Sequence, residues 1–371
     1  MKVIHFVAAI DRSLGGVSIY MQLLAKELGK LVDLLVVTRR TAAPLKLENC
    51  RVRFLPLPMS EISEFRKEWI SILAEEQPDV VHVNGIWMLH TWIVQREALR
   101  LGVCTCITTH GMLEPWIVGR HRLKKMVALL LFQRRALREA EALVATAESE
   151  KDNILKLGYN PNVCVIANGI DVDGVNMKTS WKRTYRVLFL SRVHVKKGIE
   201  MLIEAVAKLG NELKTYEVVV AGEGEAGYVE TLKDKVAAAG MGDMVRFVGG
   251  VYGEDKWSLL RSADVLVLPT FSENFGIVVA EALACGTPVV TTKGAPWGDL
   301  EAWGCGWWIE RSVDSLVAAM KDFLALTGDE LERMGRMGRR LVEAKYSSRR
   351  MAADMLALYR RLPDDGKTHC G

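Results

Sequence analysis

Short β-rich runs alternate with helix-period segments along nearly the whole of this 371-residue chain. Residues 3–9, 34–38, 51–57, 80–83, 105–109 and 142–145 read as strands, and most of the segments between them repeat apolar residues every three or four positions. The scheme resumes at 187–190, 217–221, 245–248, 265–268 and 289–291, where Ile199, Leu202, Ile203, Val206 and Leu209 mark one clear helical stripe. Such alternation implies parallel sheets covered by helices on both faces. One open sheet would need about eleven strands, so two doubly wound α/β domains are expected. The boundary should lie near 165–185, where Asn168-Gly-Ile-Asp171 leads into a polar stretch before the next strand. This predicts domains over 1–170 and 171–350, with helices through Leu362 and a polar tail closing the chain at 351–371.

The net charge of +4 is weak for a nucleic-acid binder, and no nucleic-acid partner is expected. No apolar run approaches the ~18 residues of a membrane span. The apolar start imitates a signal peptide but contains His5 and stops at Asp11, so it reads as a first buried strand. Seven cysteines without a CxxC pair fit a reduced, cytoplasmic compartment, and no histidine has metal-ligand spacing, so no metal site is expected.

Open parallel sheets bind ligands beyond the carboxyl ends of their strands, so residues that follow strands carry the chemistry. Gly15 and Gly16 follow the first strand and suit either a bland turn or a binding loop. His110 follows 105–109, where a lone histidine is usually a packing residue. Arg192 and Lys197 follow 187–190 and open a helix, a combination that suits a diphosphate. Gly222-Glu-Gly224-Glu-Ala-Gly227 matches the GxGxxG of a nicotinamide dehydrogenase. Against that stand Glu223 and Glu225, whose negative charge would meet the pyrophosphate. In Ser-Glu273-Asn274-Phe275-Gly276-Ile277, followed by Glu281, the two glutamates lie eight apart around a helix start. A carboxylate there can accept two ribose hydroxyls while the free amides near Phe275–Ile277 bind an anion.

These segments, in this order, resemble family 4 glycosyltransferases of the GT-B fold over about residues 11–350. The resemblance rests on the E-x7-E spacing from Glu273 to Glu281, the Arg192-to-Lys197 loop, the Gly222-Glu-Gly224 turn, the Asn168–Asp171 segment and the Gly15-Gly16 loop. It implies two Rossmann-like domains facing a central cleft, and a C-terminal helix returning toward the first domain. The first domain would bind the acceptor through Gly15 and Gly16. The second would bind a nucleotide-diphosphate sugar. Arg192 and Lys197 would stabilise the leaving diphosphate, and Glu281 would hold the ribose. Glu273 and the backbone of Asn274, Phe275, Gly276 and Ile277 would lie by the sugar, with Gly222 and Gly224 shaping the same site. His110 would touch the acceptor or the transferred sugar.

The implied activity is retaining, metal-independent hexosyl transfer without a cofactor to a glycan or lipid-linked saccharide, in a bacterial surface-polysaccharide pathway. A sugar-nucleotide epimerase of the same architecture and an NAD-dependent dehydrogenase are the alternatives. Asp171-Val-Asp173 spells a DxD metal motif but reads as an interdomain turn. Between Arg120 and Arg138 seven basic residues and no acid flank an apolar centre. They fit a helix with a buried middle, or a helix drawn to the inner face of an anionic membrane. Four tryptophans within 297–308 stand where many family members have a short turn. They fit core packing or a sugar platform.

Overall fold

Among the described residues thirteen strands form in two sheets, and each pairs in parallel with its neighbours. The protein was studied as a computed structural model that describes residues 1–11, 16–41, 43–55, 62–119 and 122–366. The first sheet contains β1 (Lys2–Val7), β2 (Asp33–Arg39), β3 (Arg51–Leu55), β4 (Val80–Asn84), β5 (Cys104–Thr108), β6 (Ala142–Ala145) and β7 (Val163–Val165). Its order is β3-β2-β1-β4-β5-β6-β7. The second contains β8 (Arg186–Leu190), β9 (Glu217–Ala221), β10 (Val245–Gly249), β11 (Val265–Leu268), β12 (Val289–Thr292) and β13 (Gly306–Ile309), in the order β10-β9-β8-β11-β12-β13. In both sheets the chain lays its first three strands toward one edge and the rest toward the other, so β1 and β4 in one sheet and β8 and β11 in the other flank the switch points where such folds bind ligands.

β7 and β13 were not expected from the sequence. The first is three residues long, and the second is a Gly-Trp-Trp-Ile edge whose aromatics read as loop. The tryptophan-rich segment therefore ends in a strand, with Trp307 and Trp308 paired to Val290 and Thr291.

The chain divides into two units, Met1–Gly169 with Ser348–Gly371, and Ile170–Ser347. Alternation along β1 builds the two cores of the first unit. Ile4 and Phe6 face Trp69 and Val94, while Val3 and Val7 face Met21 and Leu24. The last helix, Ser348–Gly366, adds Met351, Met355 and Tyr359 to the second of these cores and runs past Pro363. It begins at Ser348 and continues to Gly366, where a polar tail was expected. In the second unit Ile170 N donates to Tyr346 O (2.9 Å), so the chain's exit and return points lie side by side.

The basic segment folds as helix Arg122–Ala128, a π turn Leu129–Gln133 and helix Arg134–Glu139. Its middle is not buried, which overturns the first of its two readings. Leu123, Leu130 and Leu131 are 75%, 76% and 71% exposed. The π turn instead brings Gln133 inward, where its Oε1 accepts from Trp87 N (2.7 Å). Arg120 lies outside the described residues. No helix among the described residues is long and apolar enough to cross a membrane.

Candidate functional site

In the second unit, the loop after β8 is fixed by its neighbours on both sides. Ser191 N donates to Ala221 O (3.1 Å) and Val193 N to Glu223 O (2.7 Å). This contact explains the glycines. A Cβ on Gly222 would stand 1.8 Å from Ser191 O, and one on Gly224 2.3 Å from Val193 O. Gly222 and Gly224 thus let two backbones touch beneath the Arg192 loop, while Gly227 already belongs to helix Ala226–Ala238. On the other side, Lys196 O accepts from Phe271 N (2.8 Å) and Thr270 Oγ1 (3.1 Å). The loop after β8 and the loop after β11 form one assembly.

Lys197 ends a 3-10 turn, Val195–Lys197, and Gly198 follows in the left-handed region (φ 70°) before helix Ile199–Leu209. The turn directs Lys197 Nζ onto Glu273, and the two side chains are mostly buried at 13% and 12% exposure. Arg192 remains exposed. Glu273 is held by its own N–H to Gly294 O (2.7 Å), and its Cβ and Cγ lie over Gly276. Gly276 (φ 78°) caps helix Ile277–Ala284, whose first amides have no intrahelical acceptor.

Trp297 supports this helix start from behind. It is fully buried, donates Nε1–H to Phe275 O (2.6 Å), and packs 5.2 Å from the Phe275 ring and 4.6 Å from Tyr346. Trp308 donates to Ala295 O (2.7 Å). Of the two readings for the tryptophans, these contacts fit packing. Glu281 lies one turn into the helix and does not join the Lys197–Glu273 pair. It meets Lys256 of helix Gly253–Ser262 at 2.6 Å, and Lys256 also lies 4.2 Å from the Trp257 ring. Burial pushes the Glu281 carboxyl above its usual range, and Lys256 draws it back. Lys256 went unrecognised in the sequence because Gly-Glu-Asp-Lys-Trp reads as a solvated helix face.

In the first unit, His110 follows β5 with a left-handed backbone (φ 49°) that a non-glycine residue rarely adopts. Glu150 holds this turn. Its Oε1 accepts from Thr109 Oγ1 and Gly111 N, both at 2.5 Å, while its Oε2 accepts from Thr146 N (2.7 Å) and Oγ1 (2.8 Å). His110 Nε2 lies 3.2 Å from Asn84 Oδ1 at the end of β4, and its ring meets the edge of Tyr20 at 4.7 Å. Burial pushes the His110 imidazole down to about 4. Asn84 and Glu150 gave no motif. The only sequence signal for Glu150 is its place in the first turn of helix Glu148–Lys156, behind Thr146. Gly15 lies outside the described residues. Gly16 opens helix Gly16–Leu28, and nothing lies within 4 Å of an added Cβ there. Asp171 Oδ1 accepts from Gly174 N (3.4 Å), closing a turn.

Two family descriptions match the chain side by side: "Glycosyltransferase Family 4" over residues 14–173 and "Glycosyl transferases group 1" over residues 177–341. An uncharacterised glycosyltransferase of Methanocaldococcus jannaschii is 29% identical over 255 residues, covering 65% of this chain and 64% of that protein. A glycogen synthase of Mycobacterium tuberculosis is 29% identical over 228 residues, covering 58% and 52%. The chain thus matches less than two thirds of these relatives' own length. Anabaena HepE in complex with UDP superposes with a TM-score of 0.79 at 18% identity, covering 98% of this chain and 100% of that one, a likeness of fold. With one family description on each unit and a Rossmann-type strand order in both sheets, the chain belongs to the family 4 glycosyltransferases of the GT-B fold.

Proposed function

We propose that this protein transfers a hexosyl group, with retention of anomeric configuration, from a nucleotide-diphosphate sugar to a glycan or lipid-linked saccharide in surface-polysaccharide synthesis. The observation that carries the reading is the Lys197–Glu273 pair at the β8/β11 switch point, beside the Gly276-capped helix start. A nucleotide leaving group gains negative charge as the glycosidic bond breaks. Lys197, exposed Arg192 and the first amides of helix Ile277–Ala284 can stabilise that charge without a metal. Glu273 then takes the sugar side of the diphosphate, with the backbone of residues 274–277, and Glu281 takes the ribose hydroxyls. In the first unit, which binds the acceptor, His110 meets a substrate hydroxyl. HepE, with its UDP complex, shares this fold.

The test is a thermal-shift screen of UDP-, GDP- and ADP-sugars, followed by product analysis with the best donor in the presence of a chelator. Transfer with retention supports the reading. Quantitative conversion of the donor without an acceptor would replace it with an epimerase.

The exposed leucines of the basic segment favour a lipid-linked acceptor. Exposed Leu123, Leu130 and Leu131 lie in one segment with Lys124, Arg134, Arg135 and Arg138, a composition that suits an anionic membrane surface. Co-sedimentation should be stronger with anionic than with neutral vesicles, and equal binding would remove this partner.

A further inference from the structure

At the β1/β4 switch point five hydrogen bonds run in one direction away from His110. Asn84 fixes the direction. Its Nδ2 lies 3.1 Å from Phe6 O, which can only accept, so the amide has a single fitting orientation. Asn84 Oδ1 therefore faces His110 Nε2 (3.2 Å) and must receive its proton. The second Nδ2 hydrogen goes to His5 Nδ1 (3.1 Å), so neutral His5 carries its proton on Nε2 and donates to Tyr359 OH (2.7 Å). Tyr359 donates onward to His82 Nδ1 (2.6 Å), and His82 Nε2 to Thr108 Oγ1 (2.6 Å). His5 and His82 stack at 4.5 Å on paired positions of β1 and β4, and both are fully buried. Each donor meets one acceptor, and reversing Asn84, His110 or His5 would set two hydrogens or two lone pairs face to face.

We propose that Asn84 is the positioning residue of His110: it fixes the Nε2–H tautomer and so presents Nδ1 as a hydrogen-bond acceptor to a substrate hydroxyl. His110 then reads a sugar O–H and does not act as a cation on phosphate. The inference rests on the site role given to His110 above. The titratable groups around the ring are Tyr20 on helix Gly16–Leu28, whose edge it meets, Glu150, which holds the adjacent Gly111 N, and, further along the chain through Asn84, His5 on β1, Tyr359 on the last helix and His82 on β4. The carboxylate of Glu150 is already filled by four donors.

The test is nitrogen-15 histidine spectroscopy of the whole protein, with His110 assigned by comparison with His110→Gln. The active parent should show His110 protonated on Nε2 from pH 6 to 8. Asn84→Asp sets a carboxylate against that N–H, which should raise the His110 pKa by one to three units. The kcat profile should gain a matching acidic limb, with donor KM changed less than threefold. Tyr359→Phe breaks the same chain two bonds further on. It should lower thermal stability without giving kcat that limb, which separates positioning from a merely structural role. A proton on Nδ1 in an active parent overturns the proposal. So does an unchanged kcat profile in Asn84→Asp once the His110 titration has moved. A parent that transfers no sugar sinks the functional reading, and the role of His110 with it, whatever the spectra show.

Discussion

The two switch points share a topology and solve their electrostatics in opposite ways. In the second unit, β8 and β11 deliver charged side chains that are already paired, Lys197 with Glu273 and, nearby, Lys256 with Glu281. In the first unit, β1, β4 and β5 deliver neutral groups linked by hydrogen bonds: His5, His82, Asn84, Thr108 and His110. Paired charges suit a ligand that is itself ionic, because an incoming diphosphate can take over a cation from its carboxylate. A neutral chain suits a hydroxyl, which needs a directed lone pair and no net charge. One scaffold thus presents either solution, and the choice is made by the few residues at the strand ends.

Acid should separate the two units most sharply. His5 is held down to about 3, His110 and His90 to about 4, and His82 well below its ordinary value, in every case first by burial. Each folded-state pKa lies below the unfolded one. The unfolded chain therefore takes up more protons as pH falls below ~6.5, and the first unit loses stability from there down toward pH 4. Each histidine contributes up to ~1.4 kcal/mol per pH unit. Glu281 has the opposite sign: its raised pKa favours the second unit at low pH, an advantage lost as pH rises through the folded value. Hydrogen exchange at pH 7 and pH 5 should show protection falling in residues 1–169 well before residues 170–347. Parallel loss in both units would break the comparison.

Within the second unit, support and chemistry can be pulled apart. Trp297→Ala removes a fully buried side chain and should cost about 3–5 kcal/mol of stability, measured by denaturant unfolding. Lys197→Ala should slow turnover about a hundredfold, roughly 3 kcal/mol of transition-state stabilisation, and leave the unit folded. If Lys197→Ala unfolded the unit as severely as Trp297→Ala, the ion pair would be structural and the contrast with the neutral chain would lose its functional meaning.

The scaffold was largely legible in the sequence because buried parallel strands leave dense Val, Ile and Leu runs, as in β4, β9 and β11. β13 was hidden because Trp307 and Trp308 sit on a half-buried edge, where aromatic residues serve strand and loop equally. The residues proposed to bind the donor stood out because Glu273, Gly276 and Glu281 lie close together in the chain, as do Arg192 and Lys197. The partners were not. Asn84 reaches His110 from a strand end, Tyr359 joins the same chain two hydrogen bonds beyond Asn84 from the last helix, and Glu150 holds the flanking Thr109 and Gly111 from a helix start; a single sequence gives no measure of such separations. The basic segment misled for a different reason. Its apolar run has the composition of a core helix, and only its exposed placement distinguishes it from one.

Lys256 sharpens the comparison with the smallest effect. It reaches Glu281 from the neighbouring helix and is the charge that draws the raised pKa of this buried carboxyl back down. Lys256→Met preserves the length and apolar stem of the side chain but removes the charge, so the Glu281 pKa should climb further. If Glu281 holds the ribose as proposed, its protonated form would still reach it but accept hydrogen bonds less strongly. The donor KM should therefore rise about tenfold, ~1.4 kcal/mol, with the rise growing as pH falls from 8 to 6 and kcat changed little. The first unit has no counterpart among its described residues, since no charged group hydrogen-bonds directly to His110 or Asn84. A donor KM that ignores both the substitution and the pH would mean that Glu281 does not hold the ribose. The paired charges of the second unit would then reduce to Lys197 and Glu273 alone.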